Sequence, residues 1–295
     1  MMRKFEFGLF GVVLLAGLAG AAHAQTDSTA GAKAPVPVFV PVFRHVEPGA
    51  PEPDFKAVKR VRFLAVKDFP PMSYLDRNNR LTGFNISIAS NLCRALRLGC
   101  SFKAVPYSQL VVAMKNNEGD AVLTGLAETA ENLKVLDFTR PYFRFTARFA
   151  VRVKTPFKTM DVRELAGKRI GVAAGSQHEA FLKAYYRRSK VIAFKSAPES
   201  YEALRTGAVD AVFGDSLALM FWINAEPSRK CCRFAGRGFV DPRSFSRPMA
   251  IAVRRGNQPL RAILDFGLDR LQVSGRFAAI YRQYFPSSVW RGNQE

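Results

Sequence analysis

Histidine is nearly missing from this chain, with only His23, His45 and His178 among 295 residues. The first sits in an apolar N-terminal stretch and the second among prolines, so a histidine-based triad or a multi-histidine metal centre has no material to be built from. Acidic residues are also scarce, 24 Asp and Glu against 44 Lys and Arg, for a formal net charge of +20. There is no Gly-rich loop of the Walker kind and no Cys-x-x-Cys pair, which removes P-loop nucleotide hydrolysis and thioredoxin-type redox chemistry. Beyond residue 25 no run approaches the roughly 18 apolar residues that a spanning helix needs.

What is present begins with an address. Arg3 and Lys4 precede an apolar stretch from Phe7 to Ala22, and Ala22-His23-Ala24 supplies an A-x-A site before Gln25. This predicts a secretory signal peptide over residues 1–24, cleaved near Ala24, and a soluble periplasmic protein. No cysteine lies near the cut to accept a lipid. Residues 25–60 carry Pro35, Pro37, Pro41, Pro48, Pro51 and Pro53, which interrupt both helix and ladder and predict an extended tether. Short apolar pairs such as Val38-Phe39 could dock on the folded domain. Export argues against a nucleic-acid partner. The basic excess therefore points to an anionic surface, an acidic protein partner or steering of anionic ligands, with a plain basic solvent-facing coat as the bland alternative.

From residue 61 strand and helix alternate. Val61 to Val66, Phe102 to Val105 and Asp120 to Thr124 read as strands. A helix enters near Asn85, a residue able to cap it, and carries the apolar stripe Ile86, Ile88, Ala89, Leu92 and Leu96. A second unit repeats the order with Arg169 to Ala173, Val191 to Phe194 and Asp210 to Gly214 as strands, and Met249 to Val253 reads as a strand returning to the first. Such alternation predicts mostly parallel sheets flanked by helices, with ligands at the carboxyl ends of the strands. The expected organisation is lobe 1 over 61–148 plus 250–290 and lobe 2 over 149–249, joined by a two-strand hinge that closes when a ligand touches both lobes. Four cysteines can pair in three ways. Cys93 and Cys100 enclose six residues between a helix end and a strand, a suitable site for a bridge, whereas the adjacent Cys231 and Cys232 read as two thiols pointing to opposite sides of one strand.

The stretch Phe69 to Arg144, with its aromatic proline-lined loop, Gly-Phe-Asn helix start and Gly-Asp-Ala-Val strand, resembles the first lobe of the extracellular solute-binding proteins, family 3, that serve polar amino-acid ABC importers. The resemblance extends over about residues 61–286. It implies the type II periplasmic binding protein fold, an α/β architecture, capture of a small polar solute, an amino acid or an amine, delivery to an inner-membrane permease, no cofactor and a monomer. It also supports the Cys93–Cys100 bridge, since the spacing is similar to that of a disulfide in basic-amino-acid binding members.

Carried over one position at a time, the resemblance makes Phe69 and Tyr107 the rings on either side of the ligand. Gly125, Ala127 and Asn132 become its first-lobe contacts, Ser176 and Gln177 its helix-start contacts in lobe 2, and Asp215 the acceptor for its ammonium. Two of these depart from the family's pattern: Ala127 stands where a hydroxyl is expected and Asn132 where an arginine grips the α-carboxylate. An amide contributes less than a bidentate guanidinium, so the expected ligand is amine-like unless Lys134, Arg140, Arg144 or Arg148 replaces the charge. Plain alternatives exist for several of these: a ring in the core, a Ser176–Glu179 capping box, a helix cap at Asp215. The same fold is similar to that of cyclohexadienyl dehydratases, for which Glu128 with Arg140, or Asp215 with Lys134, would be the acid and cation. The expectation is a binding protein and not an enzyme, with an accessory protein docking on an acidic partner as the alternative.

Overall fold

The computed structural model describes residues 38–42, 46, 51–241 and 244–290. The expected signal segment with His23, its expected cleavage site, and most of the expected tether with His45 lie outside the described residues. Val38 and Val40, at the tether's described part, pack against the first lobe's core.

The first lobe opens with β1 (Arg60–Ala65), a small meander of β2 (Asp68–Phe69), β3 (Ser73–Leu75) and β4 (Leu81–Thr82), then α1 (Phe84–Leu96), β5 (Gly99–Ala104), α2 (Leu110–Lys115), β6 (Ala121–Val122) and β7 (Leu136–Phe138). The chain crosses through β8 (Phe143–Arg144) into β9 (Ala147–Arg152), β10 (Arg169–Ala173), α3 (Gln177–Tyr185), β11 (Lys190–Phe194), α4 (Ala197–Thr206), β12 (Ala211–Asp215), α5 (Ser216–Asn224) and β13 (Cys232–Phe239). It returns through β14 (Pro248–Met249) to β15 (Ala252–Arg254), α6 (Gln258–Val273) and α7 (Arg276–Tyr284).

Two five-stranded sheets result, in the orders β5-β1-β6-β15-β7 and β11-β10-β12-β9-β13. In each, the strand second from one edge runs against its neighbours: β15 is antiparallel to β6 and β7, and β9 to β12 and β13. These reversed strands are the ones that arrive from the other lobe. A chain entering a sheet from the side where the parallel strands end must run backwards through it, so the two crossings impose the two reversals. Between the sheets β8 and β14 pair as a short antiparallel ribbon, Phe143 opposite Met249 and Arg144 opposite Pro248. This is the type II two-lobed architecture with a two-strand hinge. The expected single strand Met249 to Val253 is split, because Met249 belongs to the ribbon while Ala252 and Val253 belong to the sheet.

Helix α1 starts differently from the expectation that Asn85 caps it. The N-cap is Gly83 at φ 122°, where any side chain would collide with the Met72 carbonyl 2.5 Å away. The first amides instead find partners in the preceding loop, Phe84 donating to the Pro71 carbonyl and Asn85 to that of Met72, both at 2.8 Å. Asn85 is fully buried and ties strand to hinge, donating to the Leu123 carbonyl at 2.7 Å and accepting from the Tyr142 hydroxyl at 2.9 Å. Around Phe84 the rings of Phe143, Phe277, Tyr281, Tyr284 and Phe285 meet edge-on at 5.1 to 6.4 Å. Each such buried ring contributes about 2–3 kcal/mol, and the cluster fixes α1 and α7 to the hinge.

Both cysteine pairs are bridged. Cys93–Cys100 fastens the end of α1 to β5. Cys231 and Cys232 are joined to each other as well, which corrects their reading as separate thiols. Alternation along a strand places neighbours on opposite faces, but Cys231 precedes β13 and is not bound by that rule.

Candidate functional site

A cleft of about 570 Å³ opens between the lobes. From lobe 1 it is lined by Val66, which follows β1, by Asp68 and Phe69 of the meander, by Tyr107, and by Thr124 and Gly125 after β6; Phe145 of the hinge joins them. Lobe 2 contributes Asp215 at the end of β12 and Leu217 of α5, and the return crossing contributes Ser244, Phe245 and Arg247. The site thus lies at the carboxyl ends of parallel strands, where the ladder stops and side chains and backbone groups turn outward.

Of the eight positions expected to touch a ligand, Phe69, Tyr107, Gly125 and Asp215 line this cleft. Tyr107 begins a turn after Pro106 and is 55% exposed, its ring free to meet a ligand. Phe69 leans on Phe145 with ring centres 6.1 Å apart. Gly125, at φ 65°, lies against the hinge, where an added Cβ would come within 3.1 Å of Met249. Asp215 accepts from the Ala218 amide at 2.8 Å and so caps α5, as the plain reading allows. Burial pushes its carboxyl above the usual range, and the amides of Ala218 and Leu217 oppose that shift.

Ala127, Asn132, Ser176 and Gln177 do not line the cleft. Asn132 and Ser176 are absorbed locally. Asn132 donates its side-chain amide to the Ala127 carbonyl at 2.8 Å and its backbone amide to Thr129 Oγ1 at 3.2 Å, which closes the 127–132 loop on itself. Ser176 and Glu179 form a variant of the capping box: Ser176 Oγ accepts from the Glu179 amide at 3.1 Å, and the Glu179 carboxylate accepts from the amide of Gly175, one residue ahead of the cap, at 2.7 Å. The start of α3 already holds a carboxylate of its own, further paired with Lys183.

The cations considered as replacements for the missing arginine are likewise engaged or elsewhere. Arg140 binds Asp265 and Asp269 of α6. Arg148 is fully buried, donates to the Ser288 and Gly236 carbonyls and stacks over Phe234 at 4.2 Å. Lys134 and Arg144 are not among the lining residues. Glu128 is not either, so neither dehydratase-like pair, Glu128 with Arg140 or Asp215 with Lys134, is assembled in the cleft.

Sequence reasoning missed Asp68, Thr124, Phe145, Phe245 and Arg247. Thr124 stands one residue before Gly125, at the end of the strand expected over Asp120 to Thr124, and its buried Oγ1 has no hydrogen-bond partner among the described residues. A buried hydroxyl without a protein partner, at the wall of a cleft, can hydrogen-bond to a solvent or solute atom there. Asp68 is exposed and has no ion-pair or hydrogen-bond partner for its carboxylate among the described residues. Phe245 stacks on His178 with ring centres 4.8 Å apart, and burial pushes the imidazole down to about 4. Among the described residues no cluster of three or more metal-ligating side chains occurs, and no helix is long and apolar enough to cross a membrane.

Known proteins resemble this chain in sequence and in fold. The chain is similar to the ABC transporter arginine-binding protein 1 of Escherichia coli (strain K12), 29% identical over 230 residues that cover 78% of this chain and 92% of that protein. It is also similar to the L-arginine-binding protein of Pseudomonas aeruginosa, 28% identical with 82% and 93% covered, and to the histidine-binding periplasmic protein of Salmonella typhimurium, 23% identical with 79% and 90% covered. The fold matches the L-cystine solute receptor of Neisseria gonorrhoeae in its unliganded open conformation, with a TM-score of 0.69, 16% identity, and 79% of this chain and 94% of that chain covered. It also matches the second substrate-binding domain of Lactococcus lactis GlnP in open conformation, with a TM-score of 0.66, 18% identity, and 78% and 96% covered. The sequence profile of the bacterial extracellular solute-binding proteins, family 3, spans residues 61–287, and with its two lobes, ribbon hinge and cleft this chain belongs to that family of binding proteins.

Proposed function

We propose that the mature chain captures a small amine-bearing solute, best a cationic one, and delivers it to an ABC permease in the inner membrane. The observation that carries this reading is an acidic, ring-walled cleft in a strongly basic protein. Against a chain charge of +20, the described cleft holds the carboxylates of Asp68 and Asp215 and the single cation Arg247. Asp215 receives the ligand's ammonium, the Thr124 hydroxyl and the Gly125 backbone hold it from lobe 1, and the ring faces of Phe69 and Tyr107 attract a cation or cover an apolar stem. Relatives named for arginine and histidine binding support the same class. Closure follows because only the shut state lets Asp215 and the first-lobe rings touch one solute together.

The same reading removes residues 1–24 at Ala24 on export to the periplasm and takes 25–60 as a tether. Lobe 1 is then 61–148 plus 250–290, lobe 2 is 149–249, and the protein works as a monomer. Native mass spectrometry of the exported protein, purified without unfolding, is expected to show a bound amine below a few hundred daltons. Thermal shift with a panel of amines and amino acids should then give stabilisation of about 2.7 kcal/mol at a hundredfold excess over Kd. Asp215→Asn is expected to weaken that ligand by about tenfold or more. A carried or stabilising solute that lacks an amine would overturn the reading.

A further inference from the structure

The return crossing is braced just before it enters the cleft. The Asp241 carbonyl accepts from the amides of Ser244, Phe245 and Ser246 at 3.0 to 3.1 Å, and the Asp241 amide donates to Ser246 Oγ at 3.0 Å. Ser246 is fully buried, and Pro248 already pairs with Arg144 in the hinge ribbon. Arg247 stands between these two fixed points. It is exposed, it lines the cleft, and it has no hydrogen-bond, ion-pair or ring partner among the described residues. It is also the one cation among the described residues that line the cleft. Other arginines of the two sheets are committed: Arg62 to Asp120, Arg169 to Asp210, Arg152 to the Leu204 and Val209 carbonyls.

A carboxylate that enters this cleft meets a particular shortage. Asn132 is spent on the Ala127 carbonyl, Glu179 already holds the Gly175 amide and the Ser176 hydroxyl, and neither Asn132 nor Ser176 lines the cleft. Among the described side chains that line it, Arg247 supplies the one cation, beside neutral hydroxyl donors on Thr124 and Tyr107, while the Ser244 hydroxyl is already given to Asp241. A guanidinium offers paired donors in a planar fork that fits a carboxylate, and a backbone held at both sides reduces the freedom lost on binding.

We propose that Arg247 is the carboxylate anchor of the cleft and the residue that makes its solute an amino acid rather than a bare amine. The inference rests on the solute-capture reading and adds to it. Asp215 holds the ammonium from lobe 2 while Arg247 holds the carboxylate from the hinge crossing, so the grip sits on the segment that must move when the lobes close.

Calorimetric titration of the mature chain with matched pairs, arginine against agmatine and histidine against histamine, tests this. The wild type is expected to bind each amino acid at least about tenfold more tightly than its decarboxylated partner. Arg247→Gln should erase that preference while leaving amine affinity within about threefold, and Arg247→Lys should keep part of it. The melting temperature of the ligand-free variant should match the wild type, since Arg247 is exposed and has no hydrogen-bond or ion-pair partner to lose among the described residues. Retention of the amino-acid preference in Arg247→Gln overturns the proposal, as does a wild type that binds agmatine and histamine as well as arginine and histidine. Either result leaves solute capture standing. A wild type that binds no pair member, and that carries no solute by native mass spectrometry, brings down both.

Discussion

The two lobes share one frame and differ at its rim. In lobe 1, Arg62 donates its amide and its guanidinium Nε to Asp120 Oδ2, at 2.8 and 3.0 Å, and Nη2 meets Oδ1 at 2.9 Å. In lobe 2, Arg169 makes the same three bonds to Asp210, at 2.9, 3.2 and 2.8 Å. Each aspartate amide in turn donates to its arginine's carbonyl, and each opens an Asp-Ala-Val run, 120–122 and 210–212. The brace locks the first strand to the third at the end away from the cleft. Beyond the third strand the likeness stops. Lobe 1 turns through Thr124 and Gly125 into a long self-bonded loop, whereas lobe 2 ends on Asp215 and goes straight into α5. The braced end is alike in the two lobes, and the end that faces the cleft differs between them.

The largest effects should come from the two ring clusters. Phe84→Ala in lobe 1 and Phe213→Ala in lobe 2, whose ring lies 4.6 Å from Phe149, are each expected to cost about 3–5 kcal/mol. Calorimetry should show whether each lowers one lobe's transition or both; a single shared transition would mean that the lobes unfold as one unit. Acid should then separate them. His178, the one histidine among the described residues, is held neutral by burial with its pKa pushed down to about 4, whereas in the unfolded chain it titrates near 6.5. The unfolded state therefore binds more protons between those values, and stability falls as pH drops through that window, by on the order of 2–3 kcal/mol. Urea midpoints measured from pH 7 to pH 4 should show this slope, and His178→Phe should flatten it; an unchanged slope would break the assignment to lobe 2.

Smaller effects sharpen the same contrast. Replacing Cys93 and Cys100 by serine opens a loop of six intervening residues and should cost about 2.5 kcal/mol, whereas the same change at Cys231 and Cys232 releases almost no chain entropy and should be close to neutral by urea denaturation. Asp120→Ala and Asp210→Ala should each cost about 1–2 kcal/mol, and by nearly equal amounts if the braces are equivalent. A clear inequality in their urea midpoints would show that Arg254, which approaches Asp120 to 3.6 Å, or Arg152, near Asp210, changes the balance.

Much of this frame can be read in the chain itself. Strand and helix alternation, the repeated Asp-Ala-Val, and the Asp215 terminus all lie within short windows where periodicity and caps speak. The hinge ribbon, the reversed strands β9 and β15, and the cleft wall do not. Arg247 and Phe245 are distant in sequence from Phe69 and Asp215, and they reach the site only because the return crossing passes its mouth. Asn132 and Ser176 are legible as positions but not as occupied ones. Their partners, the Ala127 carbonyl and Glu179, are local, and only geometry tells whether a local bond leaves a group over for a ligand. The Cys231–Cys232 bridge is hidden for a similar reason, since strand alternation does not govern a residue that precedes the strand.

Past α7 the chain keeps Phe285 and Val289 in the lobe 1 core and also takes hold of the lobe 2 strands. Gly238 of β13 donates its amide to the Trp290 carbonyl at 2.7 Å, Thr146 reaches the Val289 carbonyl at 2.6 Å, and buried Arg148 holds that of Ser288 at 3.0 Å. Residues 288–290 thus add a hydrogen-bonded attachment to the lobe 2 strands beside the two crossings of the hinge ribbon. Such an added attachment is expected to resist torsion and leave bending as the soft coordinate, much as a further leaf does for a door. One fluorophore pair across the mouth should then report the whole excursion between wide and shut, with no second angle to measure.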